Sequence, residues 1–375
     1  MLPYGRQSVD DADVAAVVEV LGSDWLTTGP WVRSFEDALA ALAGTPGAVS
    51  VTSGTAALHT AYAAIGVGAG DEVVTTPLTF VATASSATIL GATVVFADVT
   101  HDTGNLDPDA VAAATTSRTR VVAGVDYGGH PIDVTGLRSA LHGSGAALLE
   151  DAAHSIGGSL DGVPVGSLAD VTTFSFFPTK NLTTAEGGAV VAHDPDVLTR
   201  AATFRNIGMV KDPARMLATD PDPWFYEVHE AGVNYRLPDV LAALGSSQLA
   251  RLDSFTRRRR EIHARYTQGL DGLDALLLPP TRPGARPTWH LYSLRIRDGR
   301  RRALFDHLRA NGIGVQVNYI PVHWHPLYAD LGYRRGMCPV AEEYYEQEIS
   351  LPLFPDLADG DIDRVIELVR GFVDG

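Results

Sequence analysis

The chain has 375 residues, 45% of them hydrophobic and 20% charged, which is enough for two domains or one large domain with a smaller appendage. Its formal net charge of −16, with acidic residues spread throughout, excludes the basic face that nucleic acid or an anionic membrane surface requires. A single cysteine, Cys338, excludes an internal disulfide framework and reads as a buried thiol, and no segment reaches the roughly 18–20 apolar residues of a membrane span.

The N-terminus, MLPYGRQSVDDADV, lacks the basic and apolar regions of a signal peptide, so the expected location is the cytoplasm. Seven short β-branched runs follow: GAVSVT (47–52), DEVVTT (71–76), ATVVFADV (92–99), RVVAGV (120–125), AALLED (146–151), VTTFSF (171–176) and GGAVVA (187–192). Most are continuously apolar, the pattern of strands covered on both faces. Alanine-rich segments such as SGTAALHTAYAAIG (53–66) alternate with the early ones, which implies an α/β fold with a mostly parallel sheet and right-handed crossovers. Ligands of such sheets bind at the carboxyl ends of the strands.

The character changes near residue 249. A long charged helix (249–274) leads into a Pro/Gly-rich stretch, then a strand (HLYSLRI), a helix (RRALFDHLRANG), a second strand (IGVQVNYI), a Pro/His loop and a terminal helix. This reads as a small α/β domain. The arginine run 257–260 reads as the solvated face of the long helix.

The polar residues worth chemical attention fall after strands. Thr52-Ser53-Gly54-Thr55 precedes a helix, where free N–H groups and the dipole favour a phosphate; an ordinary N-cap also accounts for Ser53 or Thr55. Phe80 falls near the same edge, as a ring-stacking aromatic or a core side chain. Asp151 ends a buried apolar strand, where a carboxylate is costly without a cationic partner, or else caps the next helix. Ser175 ends the next strand, and Gly187-Gly188 lets the backbone pass close to a neighbour. Lys180 stands out because 27 of the 29 basic residues are arginine; the one other lysine, Lys211, lies in a loop and reads as solvated. An amine can lose its proton and attack a carbonyl, and a guanidinium cannot. A phosphate cradle, a stacking ring, a carboxylate for a pyridinium and an amine for an aldehyde are together the requirements of pyridoxal 5′-phosphate (PLP).

These segments, with SDWLTTGPWVRSFEDALA, EDAAHSIGG, SFFPTKNLTTAEGG, GVNYRLPDVLAALGSSQLARLD and GIGVQVNYIPVHWHPLY, resemble the DegT/DnrJ/EryC1/StrS aminotransferases, the sugar branch of fold-type I PLP enzymes. The resemblance runs from Tyr4 to the last helix. It implies a seven-stranded, mostly parallel sheet sandwiched by helices in a large PLP-binding domain, residues 1–248. Segment 1–30 of that domain would lie on the substrate side, and residues 249–375 would form the small domain. It implies that Lys180 forms the Schiff base and carries protons, and that Asp151 holds the pyridine nitrogen protonated. His154 would bond the ring hydroxyl, Phe80 stack on the ring, and Gly54, Thr55 and Ser175 bind the phosphate. Asn234 would reach that phosphate from the second subunit of a homodimer. Tyr4, Thr27, Tyr226, Gln316, Asn318, Tyr319 and His323 would line the substrate pocket.

The implied reaction is ping-pong transamination, from an amino donor, expected to be L-glutamate, through pyridoxamine 5′-phosphate to a keto sugar. FRNIGMVKD, PWFYE and GVQVNYIPVHWHPLY resemble most the subgroup that aminates UDP-linked 4-keto-6-deoxy hexosamines, as in pseudaminic acid biosynthesis. Asn318 stands where that subgroup carries histidine. The preference for arginine over lysine, with abundant alanine and glycine, suggests a GC-rich genome, in which relatives serve antibiotic pathways. The alternative acceptors are therefore a keto-cyclitol or a nucleoside-like carbonyl. A dehydratase relative would carry histidine in place of Lys180, and a silent binding protein would not keep Lys180, Asp151 and the phosphate cradle together. No GxGxxG follows the first strand, which sets aside a nicotinamide site.

Overall fold

The computed structural model describes residues 1–375. All seven apolar runs are strands of one sheet: β1 (Ala48–Val51), β2 (Glu72–Thr75), β3 (Thr93–Phe96), β4 (Thr119–Val125), β5 (Ala147–Asp151), β6 (Val171–Ser175) and β7 (Gly188–Ala192), in the order β1-β7-β6-β5-β4-β2-β3. Only β7 runs against its neighbours, pairing antiparallel with both β1 and β6. The remaining pairs are parallel.

Successive residues of each strand enter two different cores. Val73, Val121, Leu149 and Val190 face one cluster with Ala56, Ala61, Ala84 and Ala201, while Val74, Val122, Leu148 and Val191 face another with Phe35, Leu39, Leu137 and Ala242. The first cluster lies under helices α3 (Gly54–Ile65), α4 (Ala82–Ile89) and α7 (Pro195–Arg205). The second lies under α2 (Pro30–Ala43), α5 (Pro108–Ala114), α6 (Val134–Ala140) and α8 (Asp239–Ala250). Helix α1 (Asp11–Leu21) rests beside α8, where its buried Asp13 pairs with Arg251 and accepts from Gln248 Nε2 at 2.5 Å. Burial of both sheet faces explains why the strands read as continuous apolar runs.

The long charged helix is α9 (Leu252–Leu270), separated from α8 by one non-helical residue, Arg251. Its arginines do not form one solvated face. Arg258 pairs with Asp359 at 2.7 Å, and Arg260 Nε donates to the Pro287 carbonyl at 2.8 Å. Arg259 is only 1% exposed, and its Nη1 donates to the carbonyls of Leu353 at 3.0 Å and Trp289 at 3.4 Å.

A third cluster, from Ile262 to Val369, packs around the antiparallel strands β8 (Leu276–Leu277), β9 (Tyr292–Ile296) and β10 (Glu348–Leu351), with α10 (Arg301–Ala310) and the terminal helix Asp359–Asp374. Two segments cross the boundary expected at residue 248. Leu2 bridges to Ile313 and packs against the third cluster, while Val322, Tyr328, Cys338, Ala341 and Tyr344 join the first. Cys338 is buried, as expected, and burial pushes its thiol up to about 12.

The run IGVQVNYI is not a strand. Residues 313–320 make only isolated bridges, Ile313 to Leu2 and Gln316 to Ser350. Side chains take the ladder bonds instead: Asn318 N–H donates to Glu348 Oε2 at 2.7 Å, and its carbonyl accepts from the Tyr127 hydroxyl.

Candidate active site

The carboxyl ends of β1, β4, β5 and β6 open onto a cavity of about 530 Å³. Seven of the eight residues expected to meet the cofactor line it: Gly54, Thr55, Phe80, Asp151, His154, Ser175 and Lys180. Since β7 reverses direction, the 176–187 connection begins and ends on this one edge, and it carries Lys180.

At the start of α3, Ser53 caps its own helix by accepting from Ala56 N–H at 3.1 Å. That is the capping role weighed for it, and it leaves the N–H groups of Gly54 and Thr55 facing the cavity. Position 54 requires glycine: a Cβ there would lie 2.7 Å from the Cβ and Oγ of Ser175. The neighbour that Gly188 lets close is the chain itself, because a Cβ there would lie 2.5 Å from the Ser53 carbonyl oxygen. Together β6, β7 and the α3 N-terminus form a tight cradle of N–H and hydroxyl groups suited to a phosphate.

Phe80 is no core side chain. It is 58% exposed on the cavity wall, 6.2 Å from the Tyr319 ring. Asp151 is buried at the end of β5, where its Oδ2 accepts from Thr83 Oγ1 at 2.7 Å and its Oδ1 from Ala153 N–H at 3.2 Å. Burial raises its pKa, and the Thr83 bond, the Ala153 bond and the Lys180 charge offset part of the rise. Lys180 is partly buried, and no chain group bonds its amine; burial lowers its pKa to about 8, opposed by Asp151. His154 Nε2 lies 3.2 Å from the Tyr319 hydroxyl, its Nδ1 is enclosed without a partner, and burial, then Lys180 and Arg259, keep the imidazole neutral.

These groups fit PLP. Asp151 is a buried carboxylate bonded only to a hydroxyl and an N–H, so it lacks the cation that a protonated pyridine nitrogen would bring. The orphaned His154 Nδ1 lacks the partner that a ring hydroxyl would be, and Lys180 offers an amine, part of which is unprotonated near neutral pH.

Of the residues expected on the substrate side, Tyr4, Gln316, Asn318 and Tyr319 line the cavity. Asn318 Nδ2 donates to the Tyr4 hydroxyl at 2.8 Å and to Ser350 Oγ at 3.0 Å. His323 is a correction: it is fully buried, pairs with Glu342 at 2.8 Å and packs against Phe96, so it belongs to the core. Asn234, Thr27 and Tyr226 are exposed and outside the cavity of the single chain, as is Lys211, which sits in solvent as expected. Sequence reasoning missed Thr83, one helical turn beyond Phe80, where that spacing was a usable signal. It also missed His290, which no local pattern marks. A second cleft of about 570 Å³, lined by Arg257, Arg260 and Arg286 among others, shares no residue with the first.

A model of the DegT/DnrJ/EryC1/StrS aminotransferase family matches residues 7–370. The spore coat polysaccharide biosynthesis protein SpsC of Bacillus subtilis (strain 168) is 39% identical over 380 residues, covering 100% of this chain and 97% of that one. The putative sugar aminotransferase Spr1654 from Streptococcus pneumoniae in its PMP form superposes with a TM-score of 0.93 at 30% identity, covering 100% and 99% of the two chains, and it has also been solved in a PLP form. Helicobacter pylori PseC, an aminotransferase involved in pseudaminic acid biosynthesis, superposes with a TM-score of 0.93 at 31% identity, again covering 100% and 99%.

Proposed function

The chain belongs to the DegT/DnrJ/EryC1/StrS family of PLP-dependent sugar aminotransferases, and from that premise we propose that it moves an amino group from L-glutamate to a nucleotide-linked 4-keto-6-deoxy hexose. The observation that carries the reading is the pairing of a depressed amine, Lys180, with a buried carboxylate, Asp151, inside one cavity.

Bound there, PLP supplies an aldehyde with which amines condense and an electron-withdrawing ring. Gly54 and Thr55 N–H and the Ser175 hydroxyl would hold the phosphate, Phe80 would pack against the ring, and His154 would bond its hydroxyl. Asp151, fixed by Thr83, would accept a hydrogen bond from the ring N–H and so hold that nitrogen protonated, which preserves the ring's pull on electrons. Lys180 Nζ takes a proton from the donor's carbon and returns one to the acceptor's carbon, roles for which a pKa near the working pH is suited.

The substrate wall is polar and directional. Both hydrogens of the Asn318 amide are spent on Tyr4 and Ser350, so Oδ1 is left as an acceptor. The Tyr4 hydroxyl accepts from Asn318 and keeps its own proton to donate. A sugar bearing a donor group beside an acceptor oxygen matches this pair. Asn318 offers an acceptor where histidine could donate, and this favours, as a second reading, acceptors other than UDP-sugars, including a keto-cyclitol or a nucleoside-like carbonyl.

The unit of function is a homodimer. Trp25, Leu26, Trp224 and Phe225 are 44–77% exposed, and Thr27, Tyr226 and Asn234 are exposed near them in sequence. A second copy covering these exposed aromatic groups would take them out of water, and in the proposed dimer Asn234 would reach the partner's phosphate cradle.

The test is a two-stage absorbance experiment. L-glutamate added to the yellow holoenzyme should bleach the band; after its removal, a UDP-linked 4-keto-6-deoxy sugar should restore it. Bleaching without restoration rejects that sugar and selects the second reading. No bleaching rejects glutamate as donor.

A further inference from the structure

Trp289 has φ +52, an uncommon left-handed backbone for a bulky aromatic residue. The surroundings hold it there. Its ring stacks on His263 at 3.8 Å and 12°, and its carbonyl accepts from the buried Arg259 at 3.4 Å. On either side, Thr288 Oγ1 donates to the His154 carbonyl at 2.9 Å and His290 N–H to the Gly128 carbonyl at 2.8 Å. Gly129 is itself left-handed at φ +93, and a Cβ there would lie 2.8–2.9 Å from His154 O, His290 N and Trp289 N. These contacts converge on one result: they set the His290 ring on the cavity wall, 4.3 Å from the His154 ring and tilted by 33°.

There His290 is 8% exposed, and its Nδ1 is enclosed with no partner on the chain. Burial, followed by His154, Lys180 and Arg259, holds the ring well below its ordinary pKa, so it is neutral. A phenylalanine would fill a similar volume without stranding a polar atom, and a buried polar atom without a partner is destabilising. A strained backbone and an unsatisfied imidazole together disfavour the free protein, which is understandable if the imidazole meets a polar atom of something the cavity binds. None of the roles assigned above uses it.

We propose that His290 is a further binding residue of the active site, whose imidazole hydrogen-bonds an oxygen atom of the bound cofactor or of the amino donor, beside His154. The proposal rests on the assignment of this cavity as the PLP site. The parent protein's own PLP affinity tests that assignment separately.

The experiment compares the parent with His290→Phe and His290→Gln. Three quantities are read: the melting temperature of the cofactor-free protein, the Kd for PLP by fluorescence titration, and the L-glutamate concentration that half-converts bound cofactor. The phenylalanine variant should melt no lower than the parent. Its Kd for PLP should rise about tenfold if the partner is a cofactor oxygen. If the partner is a donor oxygen, the glutamate requirement should rise about tenfold at unchanged Kd. Glutamine, which restores a polar atom, should hold both constants within about threefold of the parent. Both constants unchanged in His290→Phe would overturn the proposal and make His290 a packing residue. Should that variant fail to fold, His290→Met takes its place under the same criteria.

Discussion

Burial acts in opposite directions on the two charged groups of the cavity. It raises the Asp151 carboxyl and lowers the Lys180 amine to about 8, and each group offsets part of the other's shift. On the proposed reading the amine is the nucleophile that captures the PLP aldehyde, and only its unprotonated form would react. Its pKa is depressed, so the reactive fraction grows as pH rises through about 8 rather than through the ordinary value above 10. The rate of PLP capture by cofactor-free protein, followed by absorbance, should therefore climb between pH 7 and 9 and then level. A climb that continues undiminished to pH 10.5 would place Lys180 in water. Lys180→Ala should keep the circular dichroism of the parent, show no yellow band with PLP, and lose turnover by at least about a thousandfold. Normal turnover in that variant would remove Lys180 from the mechanism. At the same scale, the directional pair predicts that Tyr4→Phe raises KM for the sugar about tenfold while the glutamate half-reaction is unchanged, which stopped-flow absorbance separates.

Elements position these side chains through contacts that differ in how visible they are from sequence. The seven strands were legible because burial on both faces leaves a continuous apolar run, and strand ends locate a ligand edge in any such sheet. Segment 313–320 is likewise rich in β-branched and apolar residues, yet the side chain of Glu348 and the hydroxyl of Tyr127 take backbone bonds of Asn318; those partners lie 30 and 191 residues away, beyond any local pattern. The cap of α2 was equally hidden. Its N-cap residue, Gly29, has no side chain, and Asp239 of α8 serves instead, accepting from the N–H of Gly29 at 2.8 Å and of Trp31 at 3.0 Å. Asp239→Ala should destabilise the protein by about 1–2 kcal/mol in denaturant titrations, because half-buried N–H groups at a helix start lose the acceptor that the buried Asp239 supplies. Gly54→Ala tests the α3 cradle from the other side. Alanine favours helix by about 1 kcal/mol over glycine, but here its Cβ meets Ser175. PLP affinity should fall at least about tenfold while the secondary structure persists, and an unchanged affinity would mean that the phosphate sits elsewhere.

Over the whole molecule, the site is assembled from pieces that share no local sequence: strand ends of the large sheet, residues 316–319 from the C-terminal part, and Tyr4, whose carbonyl accepts from Leu353 N–H at 3.2 Å. The tight start of α3 was readable as a candidate phosphate cradle because glycine and hydroxyl residues at a helix start follow a general rule. His290 was not, because its placement depends on Gly128, Trp289 and Arg259 acting together. Asn234 is the piece that one chain leaves unused: exposed, and bridged only to Asn206. If it completes the cradle of a second copy, Lys180 and Asn234 serve the same site from different subunits. Lys180→Ala and Asn234→Ala homodimers should then each be impaired, the first through loss of the amine and the second through weakened hold on the phosphate. Subunits mixed through a reversible denaturation step should pair at random. Half of the dimers are then mixed, and each mixed dimer carries one site with both residues intact and one site with neither. Activity should recover to about a quarter of the parent's. Recovery depends on the two residues lying in different chains, so a mixture no more active than its better component would assign Asn234 to its own subunit or to no site at all.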